Sequence, residues 1–444
     1  MPFTSNTDAD RAAMLRAIGV NSLEELLQNI PPEIRLKDGL DLPEALSEFE
    51  VVKELREVSS RNKNVNDVIS FGGAGAYDHF VPSVVGAVIN RSEFSTPYTP
   101  YQAEVSQGTL QAIYEYQTMI CNLTGMDAAN ASIYDGGSAL AEACLLAAGH
   151  TGRNEIVIAG KVHPYYLDVV RTYCQGQQSA LKHTGLADGV ANIDDVRNAV
   201  TSTTAAVVVQ QPNFYGCLED VFELEKIAHL RGALYVVVAD PISLGILVPP
   251  GEYGADVVVG EGQGLGIGLS FGGPYLGIFG VKDHLLRKMP GRLSGITTDR
   301  EGNRGFVLTV QTREQHIRRE RATSNICTNE GLMMLAACVY LSLMGKQGIQ
   351  EVAQLCLQKS HYLAERLSAV HGFRLKYHQP FFKEFVLETA LRPNILVEKL
   401  LSSNIVAGID LSRFGEDESG LLIAVTEKRT KDEMDEFVKA VQAL

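Results

Sequence analysis

Between residues 154 and 262, continuous apolar runs alternate with amphipathic stretches. The runs are NEIVIAG, AAVVVQQPN, ALYVVVADP and ADVVVGEG. Strands of this kind are typical of parallel sheets that helices cover on both faces. The intervening stretches YYLDVVRTYC and LEDVFELEKIAHLRG have helical periodicity. The pattern therefore predicts an α/β protein with an open, doubly wound, mostly parallel sheet.

The regions flanking this sheet predict two further parts. With 444 residues, the chain exceeds the size at which one hydrophobic core stops growing. Residues 1–65 predict a helical segment, in which Ser22 begins a helix and Glu25 completes a capping box. Residues 66–340 predict the large α/β domain. Residues 341–444 predict a small C-terminal α+β domain, because short strands between two helices replace the alternating pattern there.

The composition excludes several classes of protein. A formal net charge of −14 argues against nucleic acid as a partner, because phosphate binding requires excess Lys and Arg. The seven cysteines are scattered and form no CxxC pair, which favours a reducing cytoplasm over a disulfide scaffold. No histidine has metal-ligand spacing to a cysteine or aspartate, so no metal is predicted. Without a signal pattern or eighteen consecutive apolar residues, the chain is expected to be cytoplasmic and to lack a membrane span.

Two glycine-rich segments, FGGAG and GEGQGLGIG, match neither a Walker A loop nor a dinucleotide fingerprint. Turn formation explains their glycines. In IYDGGSALAEAC, two glycines and Ser138 begin a helix. Either Ser138 caps that helix, or the exposed N–H groups of its first turn bind an anion such as phosphate.

Two polar segments outside the sheet are also candidates. STPYTPYQAEVSQG, residues 95–108, places Tyr98 and Tyr101 between prolines in a stiff loop, here named the tyrosine loop. Such a loop either reaches into a site or packs its tyrosines on the surface. The basic segment REQHIRRER is by itself typical of a solvated helix face.

The end of the sheet contains half of a known cofactor-binding pair. Many pyridoxal-phosphate enzymes pair an Asp with the pyridine nitrogen and form a Schiff base with a Lys. Here Asp240 ends one apolar run, but no lysine occurs between Lys226 and Lys282. The chain thus has the scaffold and the acidic residue without the reactive amine.

Several strings together resemble the glycine-cleavage P-protein family, specifically its N-terminal half. They include YTPYQAEVSQG, NLTGMDAANASIYDGGSALAEA, PPGEYGADVVVGEGQ, FGGPYLGIFGV, MPGRLSG and QTREQHIRRERATSNICTNEGLMMLAA. The resemblance runs from about residue 10 to the C-terminus. It implies a fold-type-I pyridoxal-phosphate transferase fold. In some bacteria and archaea this half is a separate α chain, partnered by a lysine-bearing β chain.

The resemblance also implies how the site is shared. Counting back from Gly272-Gly273-Pro274 puts Gln263 at the lysine position of the β chain. Because an amide is not nucleophilic enough to form an imine, pyridoxal phosphate is expected on the partner, with Asp240 as a remnant or a structural hydrogen-bonder. The site is then expected at the α/β interface. The residues expected from this chain are Tyr98, Tyr101, Gln102 and Glu104 as catalytic contributors, with Ser270, Gly272 and Gly273 as donors to the neighbouring phosphate.

The family's reaction decarboxylates glycine and transfers its aminomethyl group to the lipoyl arm of H-protein. The resemblance implies that this chain is one subunit of that heteromeric enzyme. Arg313, Arg318, Arg319 and Arg321 are then expected to pair with carboxylates of the partner or of H-protein. Two alternatives stay open: a non-catalytic scaffold or regulator, and a self-sufficient enzyme using Lys161 or Lys282. Lys282 comes too late in the fold for the imine.

Overall fold

The structure is a computed structural model that describes residues 6–36, 39–95, 97–177, 179–415 and 419–444. Two compact units comprise residues 1–63 and 64–444. The helices are α1 Asp8–Ile18, α2 Leu23–Leu26, α3 Glu48–Ser59, α4 Ser83–Ile89, α5 Ser92–Ser95, α6 Gln107–Thr124, α7 Gly136–Thr151, α8 Pro164–Gln175, α9 Ile193–Ala199, α10 Val221–Leu230, α11 Gln315–Arg318, α12 Gly331–Ser368, α13 Pro393–Leu401 and α14 Lys431–Gln442. The strands are β1 Ile69–Ser70, β2 Ala128–Ala129, β3 Glu155–Ile158, β4 Ala180–His183, β5 Leu186–Ala187, β6 Val190–Ala191, β7 Thr204–Gln211, β8 Leu234–Ala239, β9 Val257–Glu261, β10 Gly277–Val281, β11 Leu293–Thr298, β12 Arg304–Thr309, β13 Phe373–Leu375, β14 Glu384–Thr389, β15 Ile405–Val406, β16 Ile409–Asp410 and β17 Gly420–Ala424.

The first unit contains helices α1, α2 and α3, each begun by a hydroxyl side chain. Thr7 and Ser47 form full capping boxes. The predicted cap at Ser22 is confirmed, since its side chain accepts a bond from the Glu25 N–H at 3.3 Å. Glu25 reaches the Asn21 N–H instead of the Ser22 N–H, so the predicted capping box is incomplete. These three helices bury no residue in the part of the chain that is described.

The second unit is built on a seven-stranded sheet in the order β2-β10-β9-β8-β7-β3-β4. Strands β4, β3, β7, β8 and β9 run parallel, while β10 is antiparallel to β9 and β2. Every residue of β3 and β8 is buried. Continuous apolar strands need cover on both faces, and helices supply it here. The predicted mostly parallel, doubly wound sheet is confirmed.

Helix α12 connects the large sheet to the C-terminal part. Its backbone leaves the helical region at Gly345, where φ is 58° and ψ is −171°. Two helical stretches therefore continue into one another across a kink at this glycine. Length and composition would let α12 cross a bilayer. Many of its apolar residues, among them Met334, Tyr340 and Leu341, lie in the core with residues of α6.

A second, four-stranded antiparallel sheet, in the order β13-β14-β17-β16, occupies the C-terminal region. It packs against α13 and α14 through a core that includes Leu396, Leu421 and Phe437. Strand β1 pairs with β15 in parallel, which joins residues 69–70 to this region. The predicted boundary at residue 340 falls inside α12 and stays a prediction.

Candidate functional site

A small cavity of about 40 Å³ lies at the carboxyl ends of the parallel strands. It is here named the strand-end pocket. In open α/β sheets this edge is where ligands bind. The lining residues include Gln210 of β7, Asp240 directly after β8, and Glu261 at the end of β9. The pocket is thus at the place where the sequence analysis puts a remnant cofactor site.

Lys383 enters the strand-end pocket from the start of the C-terminal sheet. Its side chain is 2% exposed, and its Nζ lies 2.7 Å from Asp240 Oδ2. The same ammonium lies 3.5 Å from the ring centroid of Tyr77 and donates to His79 Nε2 at 3.1 Å. Asp240 therefore already has a cationic partner within the chain. Sequence reasoning missed Lys383, because no motif links it to Asp240.

Gln263 is 1% exposed, and both the oxygen and the nitrogen of its side-chain amide form hydrogen bonds to backbone groups. Its Oε1 accepts from the Tyr77 N–H at 2.8 Å, and its Nε2 donates to the Tyr77 carbonyl at 3.0 Å and to the Ile267 carbonyl at 2.7 Å. These bonds hold the glycine-rich segment 71–82 against the turn that follows β9. The residue at the predicted imine position is thus a structural crosslink.

Aromatic rings occupy another part of the pocket. His163 stacks on Tyr166 with 4.5 Å between ring centroids and 13° between their planes. His163 Nε2 donates to the Ala74 carbonyl at 2.8 Å, while Nδ1 accepts from the Tyr165 N–H at 3.1 Å. A methyl group on Gly136 would lie 2.7 Å from the Tyr166 hydroxyl, so Tyr166 packs tightly on the start of α7.

The start of α7 is already capped by side-chain carboxyl groups. Asp135 is the N-cap, and its Oδ1 accepts from the Ser138 N–H at 2.7 Å. Glu261 Oε2 accepts from the Gly136 N–H at 3.1 Å. Burial raises the pKa of Glu261 to about 8. The interpretation of Ser138 as the cap is wrong. The helix begins at Gly136, and the side chain of Asp135, directly before it, is the cap. The N–H groups of Gly136 and Ser138 already have acceptors within the chain.

The residues of the strand-end pocket do not fit pyridoxal phosphate. The acid that would meet the pyridine nitrogen is paired with Lys383, and the imine position carries the amide of Gln263. Carboxyl oxygens of Glu261 and Asp135 accept from the first N–H groups of α7. Only about 40 Å³ of the cavity is left open.

A second cavity, of about 370 Å³, brings the tyrosine loop and the basic segment together. It is here named the tyrosine cleft. The ring of Tyr101 lies 6.2 Å from that of His316, edge to face. The lining residues are Tyr101, Gln315, His316, Arg319, Glu320, Ile326 and Cys327. Two segments that the sequence analysis treated separately therefore form one site.

Arg292 lies against Tyr101, and no role was predicted for it from the sequence. It is 4% exposed, and its guanidinium carbon lies 5.6 Å from the Tyr101 ring centroid. Its Nη2 is 3.5 Å from the Tyr101 hydroxyl oxygen. The string MPGRLSG contains this arginine, but nothing in the string indicates burial beside a loop about 190 residues earlier.

The basic segment divides into buried and exposed arginines. Arg313 is 6% exposed, and its guanidinium donates to the carbonyls of Val310 and Gly291. The expectation that Arg313 pairs with a partner's carboxylate is therefore wrong. Arg318, Arg319 and Arg321 are exposed. None of these three forms an ion pair within the described ranges.

The remaining predicted residues lie on the surface. Tyr98 is 92% exposed, and Gln102 and Glu104 are also exposed. None of the three lines the tyrosine cleft. Ser270, Gly272 and Gly273 belong to a turn with φ values of 44°, 114° and 131°, outside both cavities. Their contribution to a partner's site stays a prediction.

One group of potential metal ligands escaped the sequence spacing rules. Atoms of His79, Cys356 and Glu427 lie within 4.8 Å of one another. Because Lys383 donates to Nε2, His79 carries its proton on Nδ1 and donates to Glu427 Oε2 at 2.6 Å. Burial alone would raise the pKa of Glu427, but the bond from His79, its electrostatic attraction and the backbone N–H bonds of Phe80 and Glu427 together outweigh it and lower the pKa to about 2. Burial raises the pKa of the Cys356 thiol, which opposes thiolate ligation.

Comparisons with known proteins define first the fold class and then the family. A NifS-like protein and the apo structure of a cysteine desulfurase from Thermococcus onnurineus NA1 superpose with TM-scores of 0.63 and 0.62. Their sequence identities are 14% and 16%, with 85% and 87% of this chain and 98% and 97% of those chains covered. These likenesses define the class as the fold-type-I pyridoxal-phosphate transferase fold.

The family is defined by closer matches. A family model described as "Glycine cleavage system P-protein" matches residues 2–441. A "Probable glycine dehydrogenase (decarboxylating) subunit 1" of Chloroherpeton thalassium is 58% identical, and one of Chlorobaculum tepidum is 57% identical, each over 100% of both chains. A crystal structure of glycine decarboxylase (P-protein) in inhibitor-bound form has a TM-score of 0.92 at 42% identity, with 100% of both chains covered. The chain belongs to the glycine cleavage system P-protein family.

Proposed function

We propose that this chain is one subunit of a two-chain glycine dehydrogenase (decarboxylating), and that the other subunit holds pyridoxal phosphate. The observation that carries the proposal is the strand-end pocket, where Gln263 stands at the imine position and Lys383 pairs with Asp240. A member of this family with such a pocket needs its cofactor lysine from another chain. Relatives named "subunit 1" support the existence of a partner subunit.

In this proposal the partner's cofactor supplies the electron sink that amino-acid decarboxylation requires. The part played by this chain is to build the tyrosine cleft beside the shared site. Tyr101 offers a hydroxyl there, and His316 and Arg319 offer further polar groups. In a site from which water is excluded, an ordered hydroxyl stabilises developing charge more than it would in water.

The acceptor of the aminomethyl group is proposed to be the lipoyl arm of H-protein. Arg318, Arg319 and Arg321 are exposed, without an ion pair in the described part of the chain, although the whole chain carries a net charge of −14. Free guanidinium groups favour a partner that presents carboxylates, and complementary charge mainly increases the rate of association.

Co-expression with a lysine-bearing second subunit tests the function. The complex is expected to be yellow and to exchange the glycine carboxyl group with bicarbonate, whereas neither chain alone does so. Full exchange by the second subunit alone would contradict the proposal and favour a scaffold or regulatory role. A borohydride-stable cofactor adduct on this chain would contradict the assignment of the cofactor to the partner.

A further inference from the structure

Arg292 is a buried cation without an anionic partner. Its side chain is 4% exposed, and among the described residues no carboxylate forms an ion pair with it. Its Nε atom is buried and has no hydrogen-bond partner. A guanidinium stays charged at any physiological pH, and a buried charge is costly unless it is paired. Packing alone does not explain why a charged guanidinium is buried at this position without an anionic partner.

The contacts of Arg292 join two segments at the tyrosine cleft. Nη1 donates to Asn329 Oδ1 at 2.7 Å and to Thr328 Oγ1 at 3.3 Å, and Nη2 donates to the Cys327 carbonyl at 3.0 Å. These three acceptors lie in the segment that precedes α12. The fourth contact, at 3.5 Å from Nη2, is the hydroxyl oxygen of Tyr101 in the tyrosine loop. The segment before α12 therefore fixes the guanidinium in a position facing Tyr101.

This arrangement determines which way the Tyr101 hydroxyl can donate. Arginine has only donors, so the phenolic oxygen can only accept from Nη2. The hydroxyl proton must then point away from the guanidinium. Tyr101 is 58% exposed and lines the cleft, so the cleft lies on its open side. A cation behind the phenol also favours an anionic oxygen as the acceptor in front of it.

We propose that Arg292 is a positioning residue, which directs the Tyr101 hydroxyl proton into the tyrosine cleft toward an oxygen atom of a carboxylate or other anionic ligand. The inference rests on the proposed function, because its kinetic test measures glycine turnover by the two-chain complex. The role belongs to Arg292 through Tyr101, because Arg292 itself does not line the cleft.

The test uses the complex with the lysine-bearing subunit and four variants: Arg292→Met, Arg292→Lys, Tyr101→Phe and the double variant Arg292→Met/Tyr101→Phe. Arg304→Met is the matched control, because Arg304 also lies 5.6 Å from an aromatic centroid, that of Phe306, but is exposed. Arg292→Met and Tyr101→Phe are each expected to lower kcat/KM for glycine by about tenfold or more. The double variant should be no worse than the poorer single variant. Arg292→Lys should recover part of the loss, and Arg304→Met should behave as wild type.

The inference would be overturned if the loss of kcat/KM in the double variant equalled the product of the two single-variant losses, because Arg292 would then act independently of Tyr101. Wild-type kcat/KM in Arg292→Met would do the same. If Arg292→Met does not assemble, the comparison of Arg292→Lys with and without Tyr101→Phe replaces it.

A spectroscopic measurement tests Arg292 without any activity. In a chain labelled with 3-fluorotyrosine, the ¹⁹F resonance lost in Tyr101→Phe identifies Tyr101. Arg292→Lys should shift that resonance and Arg304→Met should not; an unchanged resonance in Arg292→Lys would contradict the contact. Absence of exchange activity in the wild-type complex would count against the proposed function alone, leaving this measurement to decide the position of Arg292.

Discussion

Lys383 Nζ lies 2.7 Å from Asp240 Oδ2, and the lysine is 2% exposed. Asp240 follows β8 of the large sheet, and Lys383 directly precedes β14 of the C-terminal sheet. In pyridoxal-phosphate enzymes the corresponding acid pairs with a pyridine nitrogen. Here an internal ammonium takes that partner's place, and His79 and Glu427 continue the polar chain. The contact thus closes the strand-end pocket and joins the two sheets.

Restoring the lysine alone is not expected to restore cofactor binding. Gln263→Lys supplies the amine, but it removes the bonds to Tyr77 and leaves Asp240 paired with Lys383. The isolated wild-type chain and the Gln263→Lys chain should both be colourless with pyridoxal phosphate. Absorbance spectra and mass spectrometry after borohydride reduction check this, with the lysine-bearing subunit as the positive control. A reduced adduct at position 263 would show that the pocket opens more readily than its contacts indicate.

Breaking the Lys383–Asp240 pair should destabilise the chain strongly. Lys383→Met leaves the Asp240 carboxylate without its counter-ion, and removal of one member of a buried ion pair costs about 3 kcal/mol or more. Urea unfolding measures the loss. The double variant Lys383→Met/Asp240→Asn should be more stable than Lys383→Met, because no unpaired charge is left.

The control for that experiment is Lys226→Met. It removes an exposed ion pair with Glu223, whose side chains are 68% and 33% exposed. Exposed pairs contribute little, so this variant should unfold as wild type does. If Lys226→Met and Lys383→Met lose equal free energy of unfolding, burial of the Lys383–Asp240 pair would not explain the loss in Lys383→Met.

Stability should fall as the pH rises from about 5 to about 8. Burial raises the pKa of Glu384 to about 7 from an ordinary value of 4.5. Burial raises the pKa of Glu219 to about 7 and that of Glu261 to about 8. In this window the folded chain binds more protons than the unfolded chain, so the free energy of unfolding decreases with rising pH. Unfolding at pH 5 and pH 8.5 measures the difference.

Glu384→Gln should reduce that pH dependence. Its Oε2 accepts from the Tyr77 hydroxyl at 2.8 Å, and a tyrosine hydroxyl can also accept from an amide. The shift of the Glu384 pKa corresponds to roughly 3 kcal/mol across the window, and the variant should lose that part of the slope. A slope equal to that of wild type would show that Glu384 is ionised in the folded chain at neutral pH.

Charge reversal in the exposed part of the basic segment should weaken binding to H-protein or to the second subunit. Arg318→Glu and Arg321→Glu are suitable, because Arg319 lines the tyrosine cleft and would confuse the result. The loss should be large at low ionic strength and small at high ionic strength. Arg231→Glu, at an exposed arginine outside the segment, is the control. Affinity that is unchanged at every salt concentration would argue against an interface there.

Regular structure and the missing amine were predictable because both are local properties. The apolar runs ending near Asp240 and Gln263 require cover on two faces, which limits them to a parallel sheet. The cap at Ser22 needed only its neighbours along the chain. The absence of a lysine before the Gly272-Gly273-Pro274 turn is visible by counting residues. The local prediction that Ser138 caps α7 was wrong, because Asp135, three residues earlier, accepts from the Ser138 N–H and is the cap.

Only the tertiary structure decided what fills the strand-end pocket and what lies behind Tyr101. Lys383 reaches Asp240, and Arg292 reaches Tyr101, across long separations in sequence. Side chains such as Lys and Arg are usually solvated, so the sequence predicts them on the surface. Their burial depends on acceptors from segments that meet only when the two sheets and α12 pack together. The same packing placed Arg313 in the interior, where carbonyl oxygens of Val310 and Gly291 replace the carboxylates that its charge alone predicted.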